Sequence, residues 1–173
     1  MKTKLIIGLV MAVLLVVLLP SAAFAAKPVT FSAGGIITAI SDGTVYPAGG
    51  SGRWRVAERE LSGLISGDIS GDFTLYYKAN IESVNTQAGN IHGRMTVGDY
   101  VLNVNGKSEP IESVGMYGDY PLFRLTMSGH WNFLEDTTGV GSFDAWAIFV
   151  PTPDGHVAFI VASEFAMTGQ WQP

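Results

Sequence analysis

The chain has 173 residues, no cysteine and 21 glycines, with 10 Lys and Arg against 15 Asp and Glu for a formal net charge of −5. Lack of Cys excludes a disulfide framework, a Cys-ligated zinc or iron–sulfur centre and a lipidated Cys anchor. An acidic balance without a basic run argues against a nucleic-acid partner held by phosphate neutralisation.

Residues 1–25 read as a cleavable signal peptide. Lys2 and Lys4 form a short basic start, and Leu5 to Leu19 is apolar with one Gly8. These 15 residues fall short of the roughly 20 a membrane-spanning helix needs. Pro20 ends the run, and Ala23-Phe24-Ala25 supplies the small residues a signal peptidase requires. Cleavage is expected after Ala25, with Ala26 as the second choice; an uncleaved anchor is the alternative. The expected location is therefore secreted or periplasmic, outside the cytoplasm, with no stable membrane insertion after cleavage. Residues 26–173 keep eight basic residues against 15 acidic, a net charge of −7, and their length suits one domain.

Along this domain the hydrophobic period is two. Asp42-Gly43 reads as a turn. Next comes a charged stretch with Arg53, Arg55 and Arg59 on one face and Glu58 and Glu60 on the other. Two carboxylates about 7 Å apart by strand rise fit a glycosidase pair, but the plainer reading is a solvated edge carrying alternating charge. Ile69, Gly71, Phe73, Leu75, Tyr77, Ala79 and Ile81 then share one face, and Ile91, Gly93, Met95 and Val97 another. Asn105-Gly106 reads as a hairpin turn. Further runs place Phe123, Leu125, Met127, Gly129, Trp131 and Phe133 together, and, beyond a turn at Asp154-Gly155, Val157, Phe159, Val161, Phe165, Met167 and Trp171. No stretch carries helical spacing between caps.

Glycine punctuates these strands. Gly67-Asp68-Ile69-Ser70-Gly71-Asp72-Phe73-Thr74-Leu75 recurs as Gly89-Asn90-Ile91-His92-Gly93-Arg94-Met95-Thr96-Val97, and a small residue, Gly, any residue and Trp recurs at Ser51–Trp54, Ser128–Trp131 and Thr168–Trp171. A missing side chain beside a large ring lets an aromatic lie across the backbone and permits the coiling that closure needs. The pattern predicts a single all-β domain, an antiparallel barrel of eight or nine strands in meander order; a β-sandwich is the alternative.

These strands, with Gly52-Arg53-Trp54 near the start, resemble the avidin and lipocalin barrels, which open with Gly-x-Trp. The Gly-x-Ile-x-Gly-x-Phe-Thr-Leu type of strand is similar to allene oxide cyclase and dirigent-like barrels. The resemblance implies a barrel that binds a small molecule or, in the cyclase case, folds a bound substrate. It transfers no active-site residue.

Residues that carry chemistry are sparse. His92, His130 and His156 lack metal-ligand spacing, neither a nucleophile elbow nor a phosphate-cradling loop occurs, and no catalytic residue, metal or cofactor is expected. Trp54, Tyr77, Trp131 and Trp171 are the candidate ligand-lining residues at one mouth of the lumen; aromatic core filling is the competing role. Arg124 and Glu164 occupy matching positions in a 40-residue echo and are expected to form a structural ion pair across neighbouring strands. Trp146, Ile148 and Val150, with Ala158, Ile160 and Ala162, make the outer sides of the late strands apolar too. A strand apolar on both faces needs a cover, so these six residues are the expected interface of a homo-oligomer, the N-terminal segment being the other possible cover.

Three functions follow from the residues: a binding module for a small apolar or amphipathic ligand, an extracellular structural or cell-surface interaction protein, or an allene oxide cyclase-like isomerase or cyclase.

Overall fold

The computed structural model describes residues 27–135, 137–152 and 157–172. The segment expected to be a signal peptide, the expected turn at Asp154-Gly155 and His156 lie outside the described residues. Ten strands occur in chain order: β1 (Val29–Ile40), β2 (Thr44–Pro47), β3 (Trp54–Gly67), β4 (Gly71–Ile81), β5 (Gly89–Val97), β6 (Tyr100–Ser108), β7 (Glu112–Tyr117), β8 (Tyr120–Leu134), β9 (Thr138–Pro151) and β10 (Val157–Gln172).

Every pairing is antiparallel, and the ladder closes because β1 pairs with β10 on one side and with β3 on the other. The result is a barrel of β1, β3, β4, β5, β6, β8, β9 and β10. The two short strands continue their predecessors past a break. β2 extends the line of β1 along β3, and β7 extends the line of β6 along β8. Closure removes the sandwich alternative, which has two separate sheets.

The alternation read from sequence is the alternation of the wall. Phe73, Tyr77, Ala79 and Ile81 are buried, as are Ile91, Met95, Val97, Leu125, Met127, Trp131 and Phe133. Each large side chain contributes about 1.5–3 kcal/mol by leaving water. Late in the chain the phase slips. Register shifts between Val157 and Phe159 and between Ile160 and Ala162 turn Phe159 and Val161 outward, at 44% and 41% exposure, and bring Ile160 against the core.

Glycine works across strands rather than along one. Gly35 pairs with Phe165, Gly63 with Phe73, Gly129 with Phe143 and Gly141 with Trp131. A Cβ on Gly63 would come within 2.7 Å of the Phe73 ring, and one on Gly141 within 2.6 Å of the Trp131 indole. The ring that lies over each glycine thus comes from the partner strand, and the two backbones coil around it.

Asn105-Gly106 is not a turn. Both residues lie inside β6, where Asn105 Oδ1 accepts from His92 Nδ1 at 2.6 Å and Gly106 sits beneath the Phe143 ring. The hairpin turns instead at Gly98-Asp99, where Gly98 has φ 54°. Gly118, with φ 60°, makes the β7–β8 turn.

Candidate functional site

The two ends of the barrel differ. At the end where β1 starts and β10 finishes, Phe31, Trp131, Phe133 and Trp171 pack ring on ring. Phe31 lies 4.6 Å from Trp131 and 5.3 Å from Trp171 between ring centres, and Phe133 stacks on Trp171 at 5.7 Å. Tyr100 caps the group. Trp131 also donates its Nε1–H to the Ser142 carbonyl at 3.0 Å, so its one polar atom is satisfied. Further in, an apolar void of about 40 Å³ is all that is left between Phe73, Phe143 and Phe165. This end is a plug.

The opposite end opens because β1 and β10 part company. Their ladder stops at Gly35↔Phe165. Beyond it, Ser163 Oγ takes the place of a backbone partner, accepting from Ile37 N at 2.8 Å and donating to Ile37 O at 2.7 Å. Two lips then diverge, β2 with the start of β3 on one side and β7 with the adjoining ends of β8, β9 and β10 on the other.

Between the lips lies a cavity of about 260 Å³. Ile111, Phe123, Phe149 and Val157 give it apolar walls, while Arg59, Tyr77 and Gln87 bring polar atoms to one side. Arg59 faces inward because of a bulge. Register runs Val56↔Ala79 and then Arg59↔Tyr77, so Ala57 and Glu58 stand opposite the single Lys78, with Glu58 at φ 57°. Val56 and Leu61, an odd number of residues apart, are both buried in consequence.

The guanidinium is held from two directions. Nε donates to the Asp42 carbonyl at 3.0 Å, and Nη1 donates to Gln87 Oε1 at 3.0 Å. Gln87 is itself fixed, since its Nε2 donates to Val84 O at 3.1 Å and its carbonyl accepts from the buried Ser108 Oγ at 2.6 Å. The turn that carries it is closed by Glu82 N to Ala88 O and tied to the other lip by Ile111 N to Thr86 O, each at 2.8 Å. Burial pushes the Tyr77 phenol up in pKa, and the charge and hydrogen bond of Arg59 beside it act the other way. Together these groups can hold a polar head against a dry wall.

Of the four residues expected at one mouth, only Tyr77 lines this cavity. Trp131 and Trp171 belong to the plug at the far end, and Trp54 packs against the core at the start of β3. Arg59 and Gln87 escaped the sequence reading. The one available signal was the odd spacing of Val56 and Leu61, which demands a bulge between them.

Arg124 and Glu164 are not brought together. β9 separates β8 from β10, with Arg124 opposite Ile148 and Glu164 opposite Trp146. Arg124 lies over the Trp146 ring at 5.0 Å, a cation–π contact, and its buried Nε has no hydrogen-bond partner among the described residues. The charged pair Glu58 and Glu60 is also divided, because the bulge takes Glu58 out of the alternation while Glu60 faces Tyr76.

The six residues expected at a subunit interface fall into four groups. Val150 is 2% exposed within the single chain, on a face where the Tyr117 and Phe159 rings meet at 5.8 Å. Ile160 packs against the core. Trp146 and Ile148 are half-buried, and only Ala158 and Ala162 are exposed. The larger exposed apolar side chains are elsewhere on this lip: Val114, Met116, Tyr117, Tyr120, Phe159 and Val161.

The described residues contain no helix long and apolar enough to cross a membrane and no cluster of His and acidic side chains suited to a metal. In comparisons with known proteins, no family model matches the chain, and no curated protein or solved structure matches it significantly.

Proposed function

We propose that this chain is an exported barrel that binds a small amphipathic molecule in the cavity at its open end. The observation that carries the reading is the convergence of Arg59, Tyr77 and Gln87 on one side of a cavity whose other side is walled by Ile111, Phe123, Phe149 and Val157, at the end opposite the aromatic plug. A few fixed polar groups on an apolar concave surface are the usual form of a small-molecule site. Its volume equals about nine water-sized groups, so the ligand is small. Native mass spectrometry of the secreted protein tests this: a retained small-molecule adduct is expected, absent from Leu125→Trp, which fills the cavity wall, and kept in Trp171→Phe at the plug. Adducts that persist in Leu125→Trp would place binding elsewhere.

A second reading, an interaction module that pairs with another copy of itself, is favoured by β7. All six of its residues are exposed, and its edge away from β8 has no strand partner among the described residues. It carries Val114, Met116 and Tyr117 with neither Lys nor Pro to block pairing. Light scattering is expected to return a dimer that Met116→Lys converts to monomer; a wild-type monomer at high concentration rejects it.

A further inference from the structure

We propose that the head group recognised in the open-end cavity is a carboxylate, held by Arg59 and Tyr77, on a short single hydrocarbon chain that lies against Phe123, Phe149 and Val157. The inference rests on the cavity reading above and specifies its ligand class.

Arg59 stands half-buried on the inner side of β3, and its two hydrogen bonds go to neutral acceptors, a backbone carbonyl and an amide oxygen. Guanidinium has five N–H donors. Those two bonds leave donors over. Asp42 is the single acidic residue among the described residues lining the cavity, and it is exposed on the rim. The cation beneath it is less well hydrated, so an entering anion gains more from Arg59 than it loses to Asp42.

Geometry agrees with charge. Two anchors fix the guanidinium plane, so little side-chain freedom is lost when a planar oxyanion docks against its remaining edge. Tyr77 lines the cavity beside Arg59, so its phenolic proton can donate to the same oxyanion, and burial holds that proton on the oxygen. On the other side of the cavity the walls are hydrocarbon, without a second cation among the described residues. One charged head and one short apolar chain match these two sides of the cavity.

The test is calorimetric titration of octanoate, 1-octanol and octylamine, three probes of equal chain length, into wild type, Arg59→Met, Arg59→Lys and Leu125→Trp. Circular dichroism and thermal melting establish that each variant is folded. Wild type is expected to bind octanoate about tenfold or more tightly than octanol, the scale of a charge-assisted hydrogen bond, and to bind octylamine least. Arg59→Met is expected to erase the preference while octanol affinity stays within about threefold; Arg59→Lys, which keeps charge but loses the planar fork, is expected to retain only part of it. Equal binding of octanoate and octanol by wild type, both abolished in Leu125→Trp, overturns the carboxylate and leaves the cavity reading intact. Binding of no probe, or binding indifferent to Leu125→Trp, overturns both.

Discussion

Burial raises the pKa of the Tyr77 phenol above its ordinary value near 10, and Arg59 offsets only part of that. The folded state therefore holds the phenolic proton more tightly than the unfolded chain does. Stability from this source is complete below about pH 10 and is lost as pH rises through the native pKa. Tyr76 shifts in the same direction because it donates to the Glu60 carboxylate and sits in its field, but it is exposed and its weight is small. Denaturant titrations between pH 8 and about pH 11 are expected to show stability falling at the alkaline end in wild type and falling less in Tyr77→Phe; equal slopes contradict the burial argument. Gly141 makes a steric prediction at the same scale. A methyl there meets the Trp131 ring at 2.6 Å and the Thr168 carbonyl, and both belong to packed strands that cannot easily yield. Gly141→Ala is expected to cost about 1–3 kcal/mol in chemical denaturation, whereas Gly71→Ala meets no atom within 4 Å and bears only the strain of φ 137°. If Gly141→Ala is neutral, the ring-over-glycine pairs are not what shapes the wall.

Where strands were continuous, the sequence reading and the structure agree. Phe73 to Ile81 and Phe123 to Phe133 alternate without interruption, and their inward residues could be named from spacing alone. The departures all occur at irregularities whose cause is tertiary. Ala57 and Glu58 form a bulge, and one added residue reverses every later side chain, which is how Arg59 came to face the cavity. Two further shifts in β10 sent Phe159 and Val161 outward and Ile160 inward. Asn105-Gly106 has the local chemistry of a turn, yet His92 on the adjacent β5 and the Phe143 ring reaching over from β9 hold it extended. Ion-pair partners were misassigned for a related reason: a sequence echo carries no information about an intervening strand, and β9 lies between Arg124 and Glu164. The parting of β1 from β10 is likewise invisible in sequence, where nothing marks Ser163 as the residue whose hydroxyl serves Ile37 beyond the end of the ladder. Ser163→Ala leaves the Ile37 amide and carbonyl without the partner seen here, and the expected loss is about 1–3 kcal/mol. Amide exchange at Ile37 is expected to accelerate in that variant; unchanged protection would mean that water or the adjoining backbone already serves the site.

At the scale of the whole molecule, asymmetry between the ends is the feature that connects the fold to its proposed work. One end has its lumen filled by five rings. The other is split by the divergence of β1 and β10 and holds a cavity lined on one side by Arg59, Tyr77 and Gln87. Closure of the ladder supplies the rigidity that keeps these groups in place, since every strand of the barrel is hydrogen-bonded to a neighbour on both sides. Isoleucine methyl groups report on both ends, with Ile40 and Ile111 beside the cavity and Ile69 buried at the plug. The most direct test is therefore a methyl NMR titration of isoleucine-labelled protein with octanoate. The account predicts saturable shifts at Ile40 and Ile111 with Ile69 unmoved; shifts centred on Ile69, or none at any methyl, would contradict it.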